Sequence, residues 1–163
     1  MFQSKLTWLG CAVLLCANSV YATEVQRPTL DTLPVAQTPK LELVLEGIVD
    51  LGEWIEVGKS AKGLHGIAPI TGGEFHGRNG FKATVVPGGA DWQLERSDGV
   101  WELFALYSIT TEDGINIVID NKGVAVNKSA DPKLPVDQWY IATNPAFKVA
   151  KGKHDWLSQS QFS

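Results

Sequence analysis

The chain has 163 residues, with 14 Lys and Arg against 18 Asp and Glu, a net charge of −4 and two cysteines. An acidic balance of this kind argues against nucleic acid and an anionic membrane surface as partners, since both call for a basic face. The two cysteines, Cys11 and Cys16, both lie in the apolar opening stretch, which leaves the rest of the chain without disulfides, thiol nucleophile or thiolate metal ligand.

That opening stretch reads as a leader. Lys5 supplies the positive charge, Leu6 to Val20 is mostly apolar, and Val20-Tyr21-Ala22 places small residues where a signal peptidase needs them. The run is shorter than the roughly 20 residues of a spanning helix, so cleavage after Ala22 and a periplasmic or secreted destination are expected rather than a membrane anchor. Lipidation is disfavoured because Cys16 follows Leu14-Leu15, with no small residue before it, and Cys11 comes too early. Removal of residues 1–22 takes away Lys5 and both cysteines, leaving 13 basic residues against 18 acidic ones. Residues 23–39 carry prolines at 28, 34 and 39 and no hydrophobic period, the mark of an extended linker.

From Lys40 the period becomes two. Leu41, Leu43 and Leu45 alternate with Glu42, Val44 and Glu46, which predicts a first strand, continued after Gly52 by Trp54 to Val57. Leu64 to Ile70 follows, interrupted by Gly66 and Pro69. Then come Gly73 to His76, a turn at Gly77 to Gly80, and a strand from Phe81 to Val86. Two glycine pairs, Gly72-Gly73 and Gly88-Gly89, bracket that strand and allow the backbone to bend or approach closely. Ser97-Asp98-Gly99, Glu112-Asp113-Gly114 and Asn121-Lys122-Gly123 read as hairpin turns between apolar runs. A polar loop over residues 127–137 leads to Gln138–Thr143, Phe147–Val149 and Asp155-Trp156-Leu157. No 3.6-residue period persists beyond the leader. The expectation is an all-β fold over 40–163, a single antiparallel β-barrel of nine or ten short strands joined by hairpins.

Asp91 is the first candidate for chemistry. It sits between Gly88-Gly89 and Trp92, where desolvation disfavours its charged form and fits it to act as a general base or to hold a ligand hydroxyl. The structural alternative is an Asp that accepts turn N–H groups. His65 is a candidate proton shuttle. Glu102 shares a largely apolar strand face with Val100, Phe104 and Leu106, and is expected to point inward and pair with Asp91 across the barrel. The opposite face, from Trp101 to Ile109, is also apolar, so alternation leaves the inside of this strand open. Trp92, Thr71, Tyr107, Tyr140 and Trp156 are candidate ligand contacts, with core filling as the plain role of the aromatics. His65, His76 and His154 lack zinc-ligand spacing, so no metal is expected. No cofactor is expected either: no glycine loop opens a helix for a nucleotide.

The segments GLHGIAPITGG, VVPGGADWQLERSDGVWEL and YSITTEDG, in this order and spacing, resemble the domain-of-unknown-function family numbered 3237. The resemblance runs from about Leu41 to Phe162 and implies a small all-β barrel with a central cavity, without assigning an activity. The family pattern places arginines where this chain has His65 and Leu106, which implies a less charged ligand here. It also runs on into a further strand where this chain has WLSQSQFS, so closure with fewer strands or an edge supplied by a partner is expected. Three functions follow: an exported barrel holding a small apolar or aromatic molecule; a cofactor-independent lyase, hydratase or isomerase working through Asp91, His65 or Glu102; and an assembly role, including self-association, through an exposed strand edge.

Overall fold

The computed structural model describes residues 41–129 and 131–163, so the predicted leader and linker lie outside the described residues. Seven antiparallel strands form one curled sheet: β1 (Leu45–Leu51), β2 (Ile55–Ser60), β3 (Gly63–Gly77), β4 (Phe81–Arg96), β5 (Val100–Thr111), β6 (Asn116–Val126) and β7 (Tyr140–Lys148). Their order is β1-β3-β4-β5-β6-β7, with β2 also on β3. β1 pairs with residues 70–77 of β3 and β2 with residues 63–67, so the two short strands lie end to end along one edge of a long one. The sheet is thus an all-β half-barrel, and no ladder joins β7 to β1 among the described residues.

Fewer, longer strands than expected arise because several glycines act as bends rather than turns. β3 absorbs both Leu64–Ile70 and Gly73–His76, and β4 runs from Phe81 through the glycine pair to Arg96. The β3–β4 register breaks between Pro69↔Ala90 and Glu74↔Thr84, at both glycine pairs, which makes this stretch the corner of the sheet. The Asp98-Gly99 and Asp113-Gly114 hairpins form as expected, with Gly99 at φ 80° and Gly114 at φ 81°. Asn121-Lys122-Gly123 is not a turn: it lies inside β6. A Cβ on Gly123 would strike Ala142 O and Thr143 of β7, so that glycine serves close strand approach instead. Leu41 and Leu43 are 88% and 74% exposed, ahead of β1, because β3 ends at Gly77, the partner of Leu45.

Side chains alternate across the sheet, and burial identifies the inner set. Phe81, Ala83 and Val85 of β4, Tyr107 and Ile109 of β5, Ile117 and Ile119 of β6, and Phe147 of β7 form the core with Ile70. A 3-10 turn at Asp155–Gln159 plugs one end with Leu157. This plug is fastened to the β5–β6 turn. His154, 6% exposed, places Nε2 3.1 Å from both oxygens of Asp113, Lys153 Nζ donates to Asp113 at 2.9 Å, and the Thr111 hydroxyl donates to the same carboxylate. The bonds from Thr111, Lys153 and His154 hold the Asp113 carboxyl well below its ordinary value of 3.8.

A carboxylate whose folded value is depressed stabilises the fold above its unfolded value, and that contribution is lost as pH falls through the folded one. Melting temperature is therefore expected to fall as pH drops below about 4, where Asp113 begins to protonate in the unfolded chain. Asp113→Asn should melt lower at pH 7 and lose part of that acid dependence. Identical thermal-denaturation profiles for the two proteins across this range would exclude the fastening.

Candidate functional site

The inner surface opens into a cavity of about 590 Å³ at the end of the half-barrel away from the Leu157 plug. Its walls come from β3 (Leu64, Ala68), β4 (Asp91, Gln93), β5 (Trp101, Leu103), β6 (Ala125) and β7 (Ile141), with Trp54 and Trp139 brought in from the segments before β2 and β7. Small residues make the room: Ala68 and Ala125 floor the cavity, and Gly66 lies beneath the indole of Trp54. Trp54 meets Trp101 edge to face, with centroids 6.5 Å apart. Trp139 is held by its indole N–H, which donates to Leu134 O at 3.0 Å.

One polar relay crosses this apolar surface. Trp54 Nε1 donates to Gln93 Oε1 at 3.0 Å, which turns the Gln93 amide so that Nε2 donates to Asp91 Oδ2 at 2.8 Å. The Phe104 backbone N–H donates to Asp91 Oδ1 at 2.9 Å. Each carboxylate oxygen has a second acceptor position. Asp91 is 8% exposed, and burial raises its carboxyl above the ordinary value, while the bonds from Gln93 and Phe104 pull it back part of the way. The result is a carboxyl poised to accept a hydrogen bond or a proton within an apolar hollow.

The other sequence candidates are distributed differently. Glu102 does not point inward: it lies on the outer face of β5, exposed, with Oε1 3.3 Å from Arg96 Nη1. The charged residue takes the solvent side, and Trp101, Leu103 and Tyr107 take the inside. His65 is likewise on the outer face of β3, its Nε2 2.8 Å from Ser60 Oγ. Trp92, 42% exposed, packs outside against Phe104 in a tilted arrangement, with centroids 5.7 Å apart. His65, Trp92 and Glu102 thus share a shallow outer depression with Lys122, on the far side of the sheet from Asp91. Leu106 alternates with inward Tyr107 and also faces out, so neither His65 nor Leu106 looks into the cavity.

Thr71 is exposed at the corner and donates to Asp50 O at 3.2 Å. Tyr140 is 47% exposed beneath Lys128, and Trp156 lies in the plug under Arg78, 5.0 Å from its ring centroid. Tyr107 faces inward, stacked on Phe75 in a second hollow. Of the named candidates only Asp91 lines the large cavity. Gln93, missed as a site residue, also lines it, together with Trp54, Trp101 and Trp139, aromatics for which the sequence leaves core filling and cavity lining both open. Gln93 had a legible signal, since two residues beyond Asp91 on a strand means the same face.

A curled antiparallel sheet around an apolar cavity with one buried carboxyl defines a small, cavity-bearing β-barrel-like protein. The chain belongs to the family described as "Protein of unknown function (DUF3237)", whose model matches residues 39–162. It is 32% identical over 138 residues to a UPF0311 protein of Rhodopseudomonas palustris, covering 77% of this chain and 87% of that one. Among solved structures it is similar to a beta-barrel like protein from Acinetobacter baumannii, with TM-score 0.61 and 28% identity over 77% of this chain and 86% of the other. It is also similar to a protein described as an enzyme from Penicillium herquei, with TM-score 0.61 and 25% identity over 79% and 85% of the two chains.

Proposed function

We propose that this chain is an exported small-molecule-binding half-barrel, whose ligand is apolar or aromatic and carries one hydrogen-bond donor. The observation that carries this reading is the pairing of a cavity of about 590 Å³ with a single buried carboxyl on its wall. Ligand sites span roughly 300–1,000 Å³ and combine apolar walls with a few placed polar groups. Three indoles offer flat faces and edges, and the relay from Trp54 through Gln93 fixes Asp91 as an acceptor. A hydroxyl or amine on the ligand answers it, whereas an anion meets repulsion there.

Native mass spectrometry of protein purified from the periplasm or medium tests both parts. A polypeptide beginning at Thr23 and carrying an adduct of small-molecule mass is expected. Asp91→Leu, which keeps the volume and deletes the acceptor, should lose at least about 90% of the adduct, as expected for a hydrogen bond to a charged group worth about 1.5–3 kcal/mol. An unprocessed N-terminus contradicts export, and an adduct retained by Asp91→Leu contradicts the site.

A second reading, proton-transfer catalysis without cofactor, is favoured by the raised Asp91 carboxyl and by the similarity to a chain described as an enzyme. In that reading Asp91 acts without His65 or Glu102, both of which lie outside the cavity. Conversion of a retained ligand by wild type, and its unaltered retention by Asp91→Asn, would distinguish catalysis from binding.

A further inference from the structure

Between β1 and β7, further along the inner surface, lies a second hollow of about 320 Å³. Val49, Phe75, Tyr107, Asn121, Thr143 and Phe162 are among its lining residues, and none of the described lining residues is an Asp, Glu, Lys, Arg or His. Phe162 covers it from the C-terminal segment, packed edge to face on Phe147 with centroids 4.9 Å apart.

Among the described residues, two polar groups of this lining have no hydrogen-bond partner. Asn121 Oδ1 is buried with no donor among them. An unpaired buried amide oxygen carries its full desolvation penalty, while an apolar residue of the same volume carries none. Asn121 therefore works against stability where it stands. Tyr107 is its diagonal cross-strand neighbour, since Tyr107 pairs with Ile119 and Ala105 with Asn121, a spacing that long side chains bridge. Burial alone pushes the Tyr107 phenol up to about 12, so it remains a donor at neutral pH. The pair thus presents one unanswered acceptor and one unanswered donor across an apolar space.

We propose that this hollow is a second binding site, for a small neutral molecule carrying a hydroxyl group, whose O–H donates to Asn121 and whose oxygen accepts from Tyr107. A hydroxyl supplies donor and acceptor on one atom. Carboxylates and phosphates are excluded, because none of the described lining residues carries a positive side chain. The apolar body of the ligand lies against Val49, Phe75 and Phe162. The site is independent of Asp91, which sits in the same inward row as Asn121 but with Ala105 between them, two inter-strand spacings or roughly 10 Å away.

The test is a titration of 15N-labelled protein with 4-ethylphenol and, separately, with ethylbenzene, read at the Asn121 side-chain amide. The phenol should shift that resonance saturably and bind at least about ten-fold more tightly than the hydrocarbon, the difference a satisfied buried polar pair makes. Tyr107→Phe, read at the same resonance, and Asn121→Leu, read at the backbone amides of Phe75 and Thr143, should each cut the preference below about three-fold. Asn121→Leu should also raise the melting temperature of the ligand-free protein. Equal binding of the two probes, or shifts confined to the indoles of Trp54, Trp101 and Trp139, would overturn the proposal while leaving the Asp91 cavity untouched.

Discussion

Gly66→Val is expected to abolish ligand retention in the large cavity while the half-barrel stays folded. Gly66 is buried on the inner face of β3, and the indole of Trp54 lies so close over it that a Cβ would overlap the ring. The ring belongs to a side chain rather than to a paired strand, so it yields first. Its departure removes a cavity wall, breaks its bond to Gln93 and frees the amide that orients Asp91. Loss of a buried aromatic contact and of an oriented acceptor is worth about 3 kcal/mol, or roughly a hundred-fold in affinity. The stability cost should be smaller, about 1–2 kcal/mol, because the displaced side chain relaxes toward solvent. Tryptophan-fluorescence titration beside circular dichroism separates the two effects, and Trp54→Ala should reproduce the binding loss. Wild-type affinity in Gly66→Val would show that Trp54 is not part of the site.

Gly73→Ala is expected to destabilise the whole domain. Gly73 has φ 131°, a region L-residues rarely occupy, and an added Cβ would run into the carbonyl of Ile48 on β1. Both strain and overlap fall on paired backbone, where no rotamer change relieves them. Left-handed strain and overpacking together cost roughly 2–4 kcal/mol, which lowers the melting temperature by on the order of 10 °C for a domain of this size. The contrast with Gly66 is between backbone that cannot move aside and a side chain that can. A melting temperature within about 2 °C of wild type would mean that β1 does not depend on this corner.

The strand content, the Asp98-Gly99 and Asp113-Gly114 hairpins and the bend at the two glycine pairs were all legible in the sequence. Each is a local matter: period two, and positive φ at glycine, are properties of a few consecutive residues. Asn121-Lys122-Gly123 shows the limit of such signals. Its glycine answers to the neighbouring strand β7, about twenty residues later in the chain, rather than to a turn of its own.

The amino-acid order by itself determined an all-β chain cornered at Gly72-Gly73 and Gly88-Gly89, with an acid beyond the second pair. Only the tertiary structure decided what that acid meets. β5 is apolar on both faces, so alternation could not tell whether Trp101 or Glu102 looks inward, and the curl of the sheet settled it. That one choice of face put His65, Trp92 and Glu102 outside. Trp54 and Trp139, from segments far apart in sequence, arrive at Asp91 only once the sheet has curled around the space between them.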